Sequence, residues 1–318
     1  MTSPYPPAAR AARGGAPGTR SATHGQPRQQ QPAEDARDTS RGHRTLGVLR
    51  YVLLWGLLLA FLMPVYLLVV TALKNPAEVA TNRMWELPGS LSLDSFRAVW
   101  PDLGSGFKNS IMLAVPASLI ASLLGSANGF VLAKWRFPGS NVVFPLILFG
   151  IFVPYQAVLI PLVHTTTAAG LRGGADPSGG LRGLILVHVI YGLPITTLIF
   201  RNYFAALPSS LIESAQVDGA GMLRTFFDIG VPMAMPAFAV SIIWQFTAVW
   251  NDFLFGAVMT SRSSWPITIA LNNIAGGQSV PFNEAMASAL LACVPTVAVY
   301  ILLGRYFLRG LMAGTLQG

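Results

Sequence analysis

The sequence predicts an all-α, polytopic membrane protein with six transmembrane helices and a short helix pair in one polar loop. Three observations carry that prediction. Of 318 residues, 53% are hydrophobic and only 11% charged, with a mean hydropathy of +0.53. The charges gather between long apolar runs instead of spreading evenly along the chain. Several of those runs approach or exceed the roughly 20 residues that a helix needs to cross a hydrocarbon core about 30 Å thick. Transmembrane β-strands, by contrast, are about ten residues long and alternate strictly, a pattern not seen here.

Taken in order, residues 1–48 read as a disordered basic cytoplasmic tail. They are rich in Pro, Gly, Ala, Ser, Thr and Gln and show no apolar period, so they cannot bury enough surface to offset ordering. Eight arginines (Arg10, Arg13, Arg20, Arg28, Arg37, Arg41, Arg44 and Arg50) lie in the first fifty positions against Glu34, Asp35 and Asp38, which explains most of the formal charge of +8 without a nucleic-acid partner. Residues 49–318 read as the membrane domain, with spans at 51–73, 110–133, 142–163, 184–200, 236–259 and 287–308. The first span is too long and too far from residue 1 for a signal-peptide core, so it reads as a retained anchor. Basic residues beyond the tail balance between the two sides; the tail itself, preceding the first span, tips the expected topology to both termini inside. Pro64, Pro116, Pro145, Pro154, Pro161, Pro194 and Pro295 fall within spans and predict kinks, and Gly125, Ser126, Ala127 and Gly129 suit close helix packing.

Composition also excludes chemistries. The one cysteine, Cys293, has no partner for a disulfide within the chain, and His24, His43, His164 and His188 show no metal-ligand spacing. No phosphate-binding G-x-x-x-x-G-K-[ST] loop occurs; Gly104-Ser105-Gly106-Phe107-Lys108 lacks the spacing. No catalytic constellation is visible, so the chain reads as a non-enzyme that binds no cofactor or metal of its own.

The loop at 201–235 carries the strongest signal. Leu207-Pro208-Ser209-Ser210 offers a helix start, and a short helix to about Val217 would carry Leu211, Ile212 and Ala215 on an apolar face with Glu213 as its acidic residue. Gly219 and Gly221 break it, glycine taking left-handed angles at little steric cost. A second helical turn holds Met222, Leu223, Phe226 and Phe227, after which Pro232 and Pro236 redirect the chain. An exposed apolar face of Leu211, Ile212, Met222, Phe226 and Phe227 would be a docking surface.

The pattern Glu213-Ser214-Ala215, Gly219, Ile229, Val231 and Pro232 resembles the cytoplasmic signature E-A-A-x-x-x-G followed by I-x-L-P in permease subunits of binding-protein-dependent ABC importers, with Ser214 for Ala and Val231 for Leu. Neither departure disturbs the helix, since a serine hydroxyl can bond back to the backbone. Further blocks resemble the carbohydrate-uptake branch and, more narrowly, glucose/mannose-type permeases: Val153-Pro154-Tyr155-Gln156, Tyr191-Gly192-Leu193-Pro194, Trp250-Asn251-Asp252-Phe253 and Arg305-Tyr306-Phe307-Leu308. The resemblance covers nearly everything after the tail. It implies a multi-pass protein of the bacterial plasma membrane, paired with a second, homologous permease as a heterodimer. Two ABC ATPase subunits would use ATP and Mg, and an extracytoplasmic solute-binding protein would deliver a sugar. Glu213, Ser214, Ala215, Gly219, Ile229, Pro232, Leu211 and Ile212 would then form the ATPase-coupling site.

Polar groups within apolar spans are costly and mark cavities or interhelical contacts. Tyr155, Gln156, His188, Tyr191, Trp244, Gln245, Trp250, Asn251 and Asp252 combine aromatic faces with amides and a carboxylate, as a sugar path uses. Two alternatives stand beside this reading: an importer permease for a polyol or amino acid, and an ion-coupled secondary transporter, which would want paired intramembrane carboxylates where only Asp252 is available.

Overall fold

The polar break at residues 73–93 and the long apolar stretch after it set the first two helices. The computed structural model describes residues 35–79, 83–135, 137–172, 178–276 and 281–315. Among the described residues every regular element is helical: α1 (Asp35–Ala72), α2 (Asp94–Lys134), α3 (Ser140–Phe149), α4 (Tyr155–Ala168), α5 (Leu181–Ala206), α6 (Ser210–Val217), α7 (Met222–Thr225), α8 (Val231–Met233), α9 (Met235–Trp250), α10 (Leu254–Met259), α11 (Ile267–Ala275) and α12 (Phe282–Thr315). A π-helical turn, Phe226–Gly230, joins α7 to α8.

The chain divides after Leu59 into two units. In the first, the described residues are the opening part of α1, which starts at Asp35, inside the stretch expected to be a tail. Residues 1–34 lie outside the described residues. The second unit, from Ala60 on, holds all the other helices.

Among the described residues four helices are long and apolar enough to cross a membrane unbroken: Gly47–Ala72, Asp94–Lys134, Leu181–Ala206 and Phe282–Tyr306. Two bent pairs, Ser140–Phe152 with Tyr155–Ala168 and Met222–Met233 with Met235–Trp250, raise the number to six when each counts as one. The expected third span is therefore broken: its halves meet at 97° around Pro154, which has no amide proton and cannot continue the ladder. The fifth span ends at Trp250 instead of 259, and α10 is a separate short helix. The second helix starts at Asp94, well before the expected 110. Gly106 lets it approach α11, where an added Cβ would come within 3.0 Å of the Ala270 Cβ, and Asn109 donates its amide to the Ser263 and Trp265 carbonyls. Tertiary packing thus outweighs the low helix propensity of the glycines there.

The α2–α5 pair is the axis of the second unit. At Gly129 a Cβ would lie 2.6 Å from the Arg201 amide nitrogen and 2.7 Å from the Phe200 Cβ, so backbone meets backbone. Thr196 donates its hydroxyl to the Ala121 carbonyl across the same contact. Ser122 and Ser241 share a buried 2.8 Å bond that ties α9 to α2, and the Trp250 indole N–H donates to the Ala292 carbonyl to tie α9 to α12. Two apolar clusters result. One gathers Leu103, Leu113, Leu184, Phe246, Trp250, Phe255 and Met259; the other, at the loop end, gathers Phe130, Phe200, Phe204, Ile212, Phe226, Ala234 and Ala237.

Gly129→Ala should destabilise the protein by about 1–3 kcal/mol through overpacking against Phe200 and Arg201, seen as a lower thermal midpoint in detergent. Gly56→Ala, with nothing within 4 Å of the added methyl, should leave the midpoint unchanged or raise it.

Candidate functional site: the loop helices and a polar aromatic cluster

The loop helices form where the sequence places them. α6 runs Ser210–Val217 and stops because Gly219 takes φ +78°, a left-handed angle closed by the bond from the Ala220 amide to the Ala215 carbonyl. Gly221 is extended and starts α7. Ser214 bonds back to the Leu211 carbonyl at 3.1 Å.

The two faces of this helix pair divide differently from the expectation. Ile212 and Phe226 are buried in the chain's own aromatic cluster, where Phe226 lies 5.4 Å from Phe130, and Phe130 packs edge-on to Phe204 at 5.2 Å; Ala215 is also buried. Ile212 and Phe226 hold the loop to the bundle, and none of the three is part of an outward surface. Neighbours such as Leu211 and Ile212 point about 100° apart, so covering Ile212 leaves Leu211 at the edge of the covered face. What faces outward is Leu211, Glu213, Ser214, Val217, Leu223 and Phe227, with Val217 87% and Leu223 68% exposed. Ile229 is half-buried in the π turn and Pro232 is exposed at the start of α8.

Three further bonds stiffen the attachment. Lys134, at the end of α2, donates to the Leu207 carbonyl at 2.6 Å, Tyr203 donates to the Met233 carbonyl at 2.7 Å, and Thr225 donates to the Gly221 carbonyl. Between the end of α2 and α6 lies a cavity of about 560 Å³ lined by Ala133, Lys134, Trp135, Ser209, Ile212, Glu213 and Gln216. Glu213 thus stands on the rim of a recess. Trp135 and Lys134, which the loop reading did not include, form its other wall.

Of the nine residues expected to line a path, the structure gathers four around Phe255. Tyr155 of α4, His188 and Tyr191 of α5 set their rings 5.6, 5.8 and 5.3 Å from that of Phe255. The Asp252 carboxylate stands 3.6 Å from His188 Nε2, too long for a hydrogen bond, and among the described residues Nε2 has no other bonding partner. Asp252 lies beyond the end of α9, not inside a continuous span, and accepts the Phe255 and Gly256 amides as a cap for α10. Phe255 itself was not singled out from sequence. Its position one turn after a capping aspartate was the available signal.

The other five residues go elsewhere. Gln245 is buried and donates to the His188 carbonyl at 2.8 Å, filling the space left open by Gly192. Trp250 is buried, stacked on Phe246, and spent on the Ala292 bond. Asn251 is exposed with its amide turned back to the Thr247 carbonyl, and Gln156 and Trp244 are exposed. Among the described residues no group of three or more His, Cys, Asp or Glu is arranged to hold a metal.

A helical, multi-pass bundle with a cytoplasm-type helix pair keyed into one end is the architecture of a membrane permease. The chain belongs to the family of binding-protein-dependent transport system inner membrane components, whose pattern it matches over residues 125–312. It is 36% identical over 272 residues to a probable ABC transporter permease protein of Pyrococcus horikoshii, covering 85% of this chain and 97% of that one. It is 32% identical over 284 residues to a xylose/arabinose import permease protein of Haloferax volcanii, covering 83% and 91%. The fold is similar to a chain of a bacterial ABC transporter involved in import of the acidic polysaccharide alginate, with a TM-score of 0.72 at 20% identity, covering 84% of this chain and 98% of that chain.

Phe226→Ala should cost about 3–5 kcal/mol by emptying a buried aromatic site, while Phe227→Ala, 56% exposed, should change stability by less than about 0.5 kcal/mol. Chemical denaturation of the purified chain followed by tryptophan fluorescence separates the two.

Proposed function

We propose that this chain is a permease subunit of an ATP-driven importer that passes a sugar, a monosaccharide or a short oligosaccharide, inward across the plasma membrane. The observation that carries the reading is the division of the loop helices into two faces. Ile212 and Phe226 are locked into the bundle, and Leu211, Glu213, Val217, Leu223 and Phe227 are left as free surface beside a recess. An apolar surface of that kind on a membrane protein's polar loop fits a second protein. Two ATPase subunits that bind ATP and Mg supply that partner. Glu213 offers a charge to a basic residue in the ATPase groove, and Gly219 supplies the turn.

In this reading both termini are cytoplasmic, a second, homologous permease completes a heterodimer, and an extracytoplasmic binding protein delivers the solute. Closure of the ATPases pushes α6 and α7. Because these helices share an aromatic cluster with α2, α5 and α9, the push tilts the spans as rigid bodies, a hinge-type switch. Tyr155, His188, Tyr191, Asp252 and Phe255 form this chain's share of the solute path: aromatic faces for sugar C–H surfaces, with the carboxylate and imidazole as hydroxyl partners. The xylose/arabinose name of the Haloferax relative supports a sugar as the cargo.

Glu213→Ala and Gly219→Pro should each abolish uptake of radiolabelled sugar into vesicles while the chain still inserts. Proline cannot adopt the positive φ that residue 219 holds. ATPase co-purification should fall in parallel; normal uptake in both variants defeats the coupling role. Tyr191→Ala should lower uptake while leaving ATPase co-purification intact, which separates the path from the coupling surface.

A further inference from the structure

The segment that follows α1 encloses a second cavity, of about 460 Å³, lined by Thr71, Lys74, Pro76, Val79, Met84, Pro281, Phe282 and Asn283. Its size falls within the range of about 300–1,000 Å³ typical of small-ligand sites. Its polar groups are unusual. Lys74 is only 3% exposed, and among the described residues no carboxylate pairs with it. Its ammonium donates to the Arg83 carbonyl at 2.6 Å and weakly to the Met84 carbonyl at 3.4 Å, which leaves a third N–H free. The carboxylate of Glu78, on the same loop, is taken by the Gly89 amide. Among the described residues two other lining groups are buried without a hydrogen-bond partner: the Thr71 hydroxyl and the Asn283 side-chain oxygen, whose amide nitrogen is spent on Ser95.

A buried cation without a counter-charge and two orphaned polar atoms are each costly. Their convergence on one cavity suits an anionic ligand. Location narrows the ligand. Lys74 comes two residues after the first crossing helix ends, at the depth where headgroups meet acyl chains. The adjoining segment exposes Trp85, Leu87, Leu91 and Leu93, and Tyr66 anchors it by donating to the Trp85 carbonyl. The apolar wall of Pro76, Val79, Met84, Pro281 and Phe282 suits the glycerol and upper acyl carbons.

The geometry points to a binding site for the phosphate of an anionic, hydroxyl-bearing phospholipid headgroup. Lys74 and Thr71 donate to the phosphate oxygens, and a headgroup hydroxyl donates to the Asn283 side-chain oxygen. A lipid held there staples the loop after α1 to the start of α12 at the bilayer surface.

The test is native mass spectrometry of the full chain in detergent, titrated with phosphatidylglycerol and with phosphatidylcholine of the same acyl composition. The first phosphatidylglycerol should bind about tenfold more tightly than phosphatidylcholine, the worth of one charge-assisted contact. Lys74→Met should abolish that preference. Thr71→Val, nearly isosteric and leaving the Lys74 carbonyl bonds in place, should reduce it several-fold with an unchanged circular dichroism spectrum, which guards against simple misfolding. Equal affinity for the two lipids in the unmodified chain, or an undiminished preference in both variants, overturns the assignment. Displacement of the bound lipid by millimolar inorganic phosphate also overturns it, because the site then belongs to the free anion.

Discussion

The packing of Phe226 and Ile212 against Phe130, Phe200 and Phe204 is the interaction on which the rest depends. Without it the loop helices would be a tethered appendage, and a force applied to them would dissipate in the chain. With it, the outer surface of α6 and α7 and the membrane-crossing helices α2, α5 and α9 share one set of interlocked rings. Close-packed interiors transmit displacement instead of absorbing it. The absence of Cβ atoms at Gly125 and Gly129 serves the same end, because α2 and α5 touch along their backbones and cannot slide without a clash.

Much of this was legible in the chain of residues, and the reasons differ from element to element. The long apolar helices were readable because hydrocarbon imposes a length and a composition. α6 and the break at Gly219 were readable because glycine alone takes that backbone angle cheaply. The inward turn of Ile212 and Phe226 was not readable, since a short amphipathic helix shows two faces and only tertiary structure says which one is covered. The early start of α2 at Asp94 was hidden for a related reason: Gly106 is a poor helix residue in isolation, and it is the neighbouring α11 that makes its missing side chain useful.

The polar residues divide along the same line. Sequence can say that an amide or carboxylate inside an apolar run needs a partner, but it cannot say whether the partner is solute or backbone. Gln245 and Trp250 turn out to hold α9 to α5 and α12, while His188, Tyr191 and Asp252 converge on a ring, Phe255, that carries no polar signal. Asp252 illustrates how a single group serves two ends: its oxygens cap α10 and at the same time face the His188 imidazole.

The π turn at Phe226–Gly230, closed by the bond from the Val231 amide to the Phe226 carbonyl, fits an extra residue into what would otherwise be a continuous helical winding. The π turn takes up that extra residue locally, so deleting one residue from this stretch would return it to ordinary α winding and tighten the turn that carries Phe226 into the aromatic cluster. The interval between the glycine break and Pro232 is therefore a condition on where the winding widens. It sets the point at which Phe226 enters the cluster, ahead of the 77° bend that separates the loop helices from α9.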